Sequence, residues 1–260
     1  MRCGIIIKNI FGNRGTGMSK VLLYSGGTDS WLIDKLWKPD IKLYISIAGR
    51  YSNEEIKRLP KDVKIVDFPF LGTIEEDNAI VPLRNLYFIM IATNFGNEIC
   101  LGATLGDRGG KDKTPEFFEK ANEIINYCLI GNSYGSFEYK NICIDYINKS
   151  KYELVEEYIK SGGNINTFID ETFSCYSPVN NKECLRCKPC YRKFLIGYYF
   201  GYKYSDRTKL GMIDYLKENV IPLNNMNGTY FTEREGEGKY AEKAIDNLFK
   251  EYGLNWRDYQ

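Results

Sequence analysis

Short apolar runs recur along the first two-thirds of the chain: Val21-Leu-Leu-Tyr24, Leu43-Tyr-Ile-Ser-Ile47, Val63-Lys-Ile-Val66, Ile99-Cys-Leu101 and Ile142-Cys-Ile144. Runs of this length, bounded by turn residues, have the pattern of buried strands. Helical patterns with recognisable ends lie between them. Pro82 opens a helix over Leu83 to Asn94, with Gly96 beyond its end, and Thr114-Pro115-Glu116 offers a cap followed by proline at the first helical position. Ser150-Lys-Tyr-Glu153 has capping-box spacing ahead of Leu154 to Lys160, and Gly162-Gly163 stops that helix. Strands alternating with helices predict an α/β fold built on a doubly wound parallel sheet. After about Tyr204 the pattern becomes more charged and irregular, as in Glu233-Arg-Glu-Gly-Glu-Gly-Lys239. The boundaries that follow are an N-terminal extension 1–17, a sheet domain 18–148, a cysteine-bearing helical region 149–204 and a C-terminal extension 205–260.

A chain of 260 residues has room for one main core and a modest appendage. Hydrophobic residues at 43% and charged residues at 27% place it among soluble globular proteins, not disordered or membrane-spanning ones. Residues 1–17 hold an apolar stretch too short and interrupted for a signal peptide or a membrane helix, so the expected location is cytoplasmic. Nothing in that segment carries a chemical motif, and a chain starting at Met18 is expected to fold; the opposing reading is that Ile5-Ile6-Ile7 adds an edge strand or packs at a dimer interface. The formal charge of +1 gives no global case for nucleic-acid or acidic-membrane binding.

Histidine is absent. That excludes Ser-His-Asp and Cys-His catalysis, imidazole metal ligands and histidine proton shuttles. Directly after the first apolar run stands Ser25-Gly26-Gly27-Thr28-Asp29-Ser30, followed by the helical Trp31 to Leu36. The glycines let the backbone bend closely around an anion, the new helix N-terminus adds partial positive charge, and Ser25, Thr28 and Ser30 add hydroxyl donors. An acidic residue in such a loop would repel phosphate unless it held a cation, which makes Asp29 a candidate Mg²⁺ partner. Together with the preceding Leu23 and Tyr24, the loop is the candidate nucleotide site. It is not a Walker loop: Gly109-Gly110-Lys111 has Leu105 where the first glycine belongs and Asp112 where Ser or Thr is required.

Four of the eight cysteines, Cys175, Cys184, Cys187 and Cys190, lie within sixteen residues. Four thiolates close a tetrahedral Zn²⁺ site with no open position for catalytic water, so a metal here is scaffold, not reagent. The scattered Cys3, Cys100, Cys128 and Cys143 read as small core hydrophobes.

The string Ser25 to Ser30 closely resembles the SGGxDS loop of the N-type ATP pyrophosphatases, or PP-loop enzymes. Combined with C-x8-C-x2-C-x2-C, it resembles one of their families, the 7-cyano-7-deazaguanine synthases. Val81-Pro82-Leu83-Arg84-Asn85 is similar to the family's V-P-x-R-N helix opening, Lys149 to Glu153 to its K-x-E helix start, and Ser174-Cys175-Tyr176 to its S-C-Y entry to the zinc site. The resemblance runs from about residue 20 to about residue 200. It implies a PP-loop, adenine-nucleotide-hydrolase-like sheet with a C-terminal zinc-binding helical region. It also implies an ATP-dependent carbon–nitrogen ligase. The carboxylate of 7-carboxy-7-deazaguanine is adenylated, ammonia displaces AMP to give an amide, and the amide is activated and dehydrated to a nitrile that serves queuosine, archaeosine or modified-DNA pathways.

The cofactors implied are ATP, Mg²⁺ and Zn²⁺, and the partners are a small deazapurine, ammonia and a second copy of the chain in a homodimer. The catalytic set implied is Ser25, Asp29, Ser30, Arg84 and Asp112, with Leu23 to Ser30 holding nucleotide and the clustered cysteines holding zinc. Arg84, near a helix N-terminus, is placed to contact an anion, and Phe117, Phe118, Phe173 and Tyr176 are candidate stacking walls. One stretch departs from the family: where its loop reads like D-Y-S-G-Y-P-D-C-R-P-E-F, residues 106–117 replace Cys-Arg by Lys113-Thr114 and shift the leading acid by one. The departure keeps alternatives open: a PP-loop ligase adenylating a different acceptor, or a nucleotide-binding module without turnover. A tRNA sulfurtransferase is disfavoured, since the clustered cysteines fit metal ligation and leave no persulfide carrier.

Overall fold

The computed structural model describes residues 19–50, 52–131, 137–222 and 234–260. The expectations about residues 1–17 and about Cys3 lie outside them. Five parallel strands form one sheet in the order β3-β2-β1-β4-β5: β1 (Lys20–Leu23), β2 (Ile41–Ser46), β3 (Val63–Asp67), β4 (Glu98–Leu101) and β5 (Asn141–Ile142). Every expected strand is present, displaced by at most a few residues. β1 is central, with Val21 opposite Ile41 on one side and Ile99 on the other.

Because successive side chains of a strand point to opposite faces, β1 feeds two cores. Leu22 and Tyr24 pack with α1 (Thr28–Trp37), α6 (Lys151–Lys160) and α7 (Ile165–Glu171) through Trp31, Leu32, Val155 and Phe168. Val21 and Leu23 pack with α4 (Arg84–Ala92) and α5 (Pro115–Leu129) through Ile89, Phe118 and Ile125. Two short helices, α2 (Ser52–Ile56) and α3 (Phe70–Thr73), bridge the β2 side. Helices on both faces of a parallel sheet give the doubly wound architecture.

Helix ends follow local chemistry. Thr114 Oγ1 accepts from Phe117 N at 3.3 Å with Pro115 at the first position of α5, and Ser150 and Glu153 form a reciprocal capping box on α6. The α4 start differs from expectation. Leu83 takes a left-handed conformation (φ 57°), so the helix begins at Arg84 and Pro82 stays outside its first turn. Gly96 stands where the chain turns from α4 into β4, and a Cβ there would collide with the carbonyl of Ser19.

The charged segment after Tyr204 is not irregular where it is described. α8 (Lys188–Tyr199), α9 (Asp206–Tyr215, continuing as a π-helical stretch Leu216–Val220) and α10 (Gly238–Glu251) bury Phe194, Met212, Leu216, Ala244, Leu248 and Phe249 in a third core. Among the described residues no helix is long and apolar enough to cross a membrane.

Candidate active site

In a parallel sheet, ligands bind beyond the carboxyl ends of the strands where the winding direction reverses. Here that point lies between β1 and β4, and Ser25 to Ser30 emerges from β1 beside it. Gly26 has φ +76°, which an L side chain rarely adopts, and Gly27 caps α1. Ser30 Oγ donates to Gly27 O at 3.2 Å and lies 3.4 Å from Ser25 Oγ, so the two hydroxyls face one turn. Gly102 at the end of β4 brings backbone against Ser30 in a way that a Cβ would crowd.

Two adjoining clefts open from this loop and share Ser25 and Glu55 as lining. The first, about 290 Å³, runs from Gly26, Gly27, Thr28 and Asp29 to Phe173, Ser174, Cys175 and Tyr176. The second, about 310 Å³, runs over the ends of β1, β2 and β4 and is lined by Leu23, Tyr24, Ser30, Tyr44, Arg84 and Ala103. Leu23 and Tyr24 are themselves buried at the floor of this cleft. Arg84, first residue of α4, reaches the second cleft with its guanidinium 5.9 Å from the Phe88 ring centroid. Asp112 lines neither cleft; its carboxylate accepts from Asn85 Nδ2 at 2.8 Å and ties the 110–114 loop to α4. Of the four candidate stacking aromatics, Phe173 and Tyr176 line the first cleft, whereas Phe118 is buried in the core and Phe117 packs beside it. Of the scattered cysteines Cys100 is buried, Cys143 half-buried and Cys128 exposed.

Lys151 went unassigned in the sequence. Its Nζ lies 3.0 Å from Asp29 Oδ1, bringing the start of α6 against the start of α1. A buried lysine at a helix N-terminus works against the helix dipole and needs a counter-charge; that conflict was the available signal. Glu55 is the second addition: it accepts from Tyr44 OH at 2.7 Å, and burial raises its carboxyl above the ordinary range despite that bond and the nearby Arg84 charge. Arg58 stacks on Phe173 at 4.0 Å to the ring centroid.

Arg234 and Glu237, from the segment read as charged and irregular, complete the group. Arg234 lines the first cleft with its Nη1 3.2 Å from Asp107 Oδ1. Burial would raise the Asp107 carboxyl, but the charges of Arg234, Lys113 and Lys151 and the Thr104 N–H hold it below its usual range. Glu237 is 5% exposed, and burial pushes its carboxyl up against the opposing pull of Lys151, Arg234 and Arg192. A group whose folded pKa is raised is neutral at no cost below its unfolded value and costs stability once pH climbs past it. Glu237→Gln is therefore expected to stabilise the protein increasingly from about pH 4.5 upward, while matching wild type at pH 4. Thermal melts of both proteins between pH 4 and 8 check this, and a difference that shrinks with rising pH would contradict it.

The cysteines converge as their spacing predicts. Val179 and Lys182 pair as a tight hairpin whose Asn180 and Asn181 both have positive φ (50° and 60°), folding Cys184 back beside Cys175. Cys187 caps α8 and Cys190 lies in its first turn. All four sulfurs lie within 4.8 Å of one another. A zinc–sulfur bond of about 2.3 Å implies sulfurs about 3.8 Å apart, so the cluster can close on an ion such as zinc with small adjustments. Backbone N–H groups of Ser177 and Cys184 point at Cys175 Sγ, and that of Arg186 at Cys184 Sγ, at 3.2 to 3.4 Å, as suits thiolates. The buried Lys193 fastens this loop to α8 by reaching Thr172 O at 2.5 Å and Glu183 Oε2 at 3.1 Å.

A Ser-Gly-Gly-Thr-Asp-Ser loop at the switch point of a 3-2-1-4-5 parallel sheet, with a four-cysteine cluster that could hold a metal beside its cleft, defines a PP-loop α/β protein. Residues 61–195 match the family described as "Queuosine biosynthesis protein QueC", and the chain belongs to that family. It is 24% identical over 206 residues to 7-cyano-7-deazaguanine synthase 1 of Colwellia psychrerythraea, covering 65% of this chain and 89% of that protein. It is also 27% identical over 122 residues to the 7-cyano-7-deazaguanine synthase of Leptospira biflexa, 45% of this chain and 48% of that one. No solved structure matches. These relatives support an enzyme of 7-deazaguanine synthesis.

Proposed function

We propose that the chain converts 7-carboxy-7-deazaguanine and ammonia to 7-cyano-7-deazaguanine with cleavage of ATP between its α- and β-phosphates. The observation that carries the reading is the pairing of Asp29 with Lys151 at the mouth of the Ser25–Ser30 loop, within a cleft whose far wall is Ser174-Cys175-Tyr176. The second cleft suits adenosine, since it lies over the strand ends with Leu23, Tyr24 and Ala103 on its lining. The first suits pyrophosphate beside the loop and a flat heterocycle against Phe173 and Tyr176.

In this reading a carboxylate oxygen of the substrate attacks the α-phosphorus, and the bond to the bridging oxygen breaks to release pyrophosphate. Ser25, Thr28, Ser30 and the N-terminus of α1 hold the departing phosphates, and Lys151 offsets their charge. Asp29 fits Mg²⁺ because it is a carboxylate inside an anion-binding loop; the ion would supply charge neutralisation of the leaving group. Arg84 stands in the second cleft, where its charge would face the nucleotide from the side of α4. Ammonia then displaces AMP to give the amide, a second ATP activates the amide oxygen, and loss of AMP and the remaining nitrogen-bound protons leaves the nitrile. Cys175, Cys184, Cys187 and Cys190 would hold zinc, which would supply structural closure of the acceptor wall and no chemistry of its own.

A second reading, a PP-loop ligase with a different acceptor, is favoured by the loop at 106–113, where Asp107 is engaged by Arg234. Mass spectrometry of products formed from ATP, ammonia and 7-carboxy-7-deazaguanine decides between them. A mass matching the nitrile supports the first reading; pyrophosphate release without any deazapurine product supports the second.

A further inference from the structure

The turn that precedes α10 is built into the 104–107 loop. A Cβ at Gly106 would lie 2.9 Å from the Cβ of Arg234 and 3.1 Å from its Cγ and Cδ, and one at Gly236 would lie 2.8 Å from Leu105 Cδ2. The two segments therefore interlock through glycines that leave room for each other's side chains. The carboxylate of Asp107 serves both: Oδ2 accepts from Thr104 N and Oγ1 at 3.1 and 3.0 Å, and Oδ1 pairs with Arg234. This docking places Arg234 on the lining of the same cleft as Gly26, Gly27, Thr28 and Asp29, from a segment that the family match to residues 61–195 does not reach.

The other cations on that lining are each engaged, Arg192 with its guanidinium 5.9 Å from the Tyr191 ring centroid. Lys151 pairs with Asp29, Lys193 with Glu183 and Thr172 O, and Arg58 bonds Glu54 O at 2.6 Å. Arg234 Nη1 is buried beside Asp107 as an ion pair without the geometry of a hydrogen bond, and a planar guanidinium with five N–H donors can serve a carboxylate and a phosphate together. Glu237, three residues on, is held toward its neutral form by burial, so the pair of Arg234 and Lys151 is less neutralised than the count of nearby carboxylates implies.

We propose that Arg234 is a phosphate-binding residue of the PP-loop cleft, supplied by the C-terminal helical unit and docked there by the interlock of Gly106 and Gly236 with the facing segment. The proposal rests on the PP-loop reading and extends it by naming a second cation, besides Lys151, that meets the leaving pyrophosphate. Removing it costs a charge-assisted contact, an expected loss of about tenfold or more in affinity for pyrophosphate.

The experiment is calorimetric titration of the full-length protein with inorganic pyrophosphate and Mg²⁺, with melting temperatures measured in parallel. Arg234→Gln keeps part of the stem that packs over Gly106 and is expected to bind at least tenfold more weakly. Arg234→Lys keeps a point charge and is expected to recover part of the loss. Asp107→Asn removes the competing charge and is expected to bind as tightly as wild type or more tightly. Unchanged affinity in Arg234→Gln overturns the proposal. So does a loss in Asp107→Asn as large as in Arg234→Gln, which would assign the effect to docking alone. Wild-type protein that binds neither pyrophosphate nor ATP would instead overturn the PP-loop reading, and this proposal with it.

Discussion

Asp29→Ala and Asp29→Asn are both expected to lower ATP-dependent pyrophosphate release by about 100-fold or more, roughly 2.7 kcal/mol of transition-state stabilisation. Neither variant leaves a carboxylate to hold Mg²⁺ at the loop. They should differ in stability. Alanine strands Lys151, whose side chain is only 10% exposed, whereas asparagine keeps an acceptor 3.0 Å away in the present geometry. Asp29→Asn should therefore melt close to wild type while being as inactive as the alanine variant, which separates chemistry from folding. A coupled pyrophosphate assay and thermal melts by circular dichroism make the comparison. Near-normal turnover in Asp29→Asn would remove Asp29 from the mechanism.

Cys187→Ser is expected to have the largest effect on stability. Elemental analysis of wild type should give one zinc per chain, and the variant should retain clearly less after dialysis. Cys187 is both a ligand candidate and the cap of α8, and α8 carries Phe194 into the third core and Lys193 into the cysteine loop. An effect of about 3 kcal/mol, a fraction of what zinc contributes to an isolated zinc-finger peptide, would lower the melting temperature by roughly 6–12 °C for a chain of this size. Turnover should fall as well, since Cys175 and Pro189 form part of the cleft wall. Zinc-free wild-type protein, or a visible iron–sulfur absorption band, would count against the assignment.

The sheet was legible because buried parallel strands read as short apolar runs bounded by turn residues, and five such runs alternate with helical patterns in the first 150 residues. The loop and the cysteine cluster were legible because each places its donors close together in the chain. What escaped was whatever depends on closure over long distances. Lys151 lies beside a recognised capping box, but its partner Asp29 is on a different helix. Arg234 and Glu237 sit among glycines and other charges, a composition that carries no mark of burial, and the packing of this turn against Leu105 to Asp107 joins segments far apart in the chain. For α10 the signal was present and outweighed: Ala241, Ala244, Ile245, Leu248 and Phe249 follow helical spacing, but the acidic stretch just before them drew the reading toward an irregular tail. Asp112 was misleading in the opposite sense, since matching letters in a loop say nothing of which way the loop faces.

The position of Arg234 has a consequence for the order in which the protein becomes competent. Ser25 to Ser30 leaves the ribosome early, and the strands that frame it follow, but the guanidinium that faces it is encoded about two hundred residues later. At usual elongation rates that interval is roughly 10–40 s. During it the nascent chain can assemble its sheet and even its cysteine cluster, yet it presents a phosphate cradle that lacks one of its charges. On the assignment proposed for Arg234, unfinished or prematurely terminated chains bind nucleotide weakly and do not waste it, because the last helix must be made and docked before the first loop can do its work.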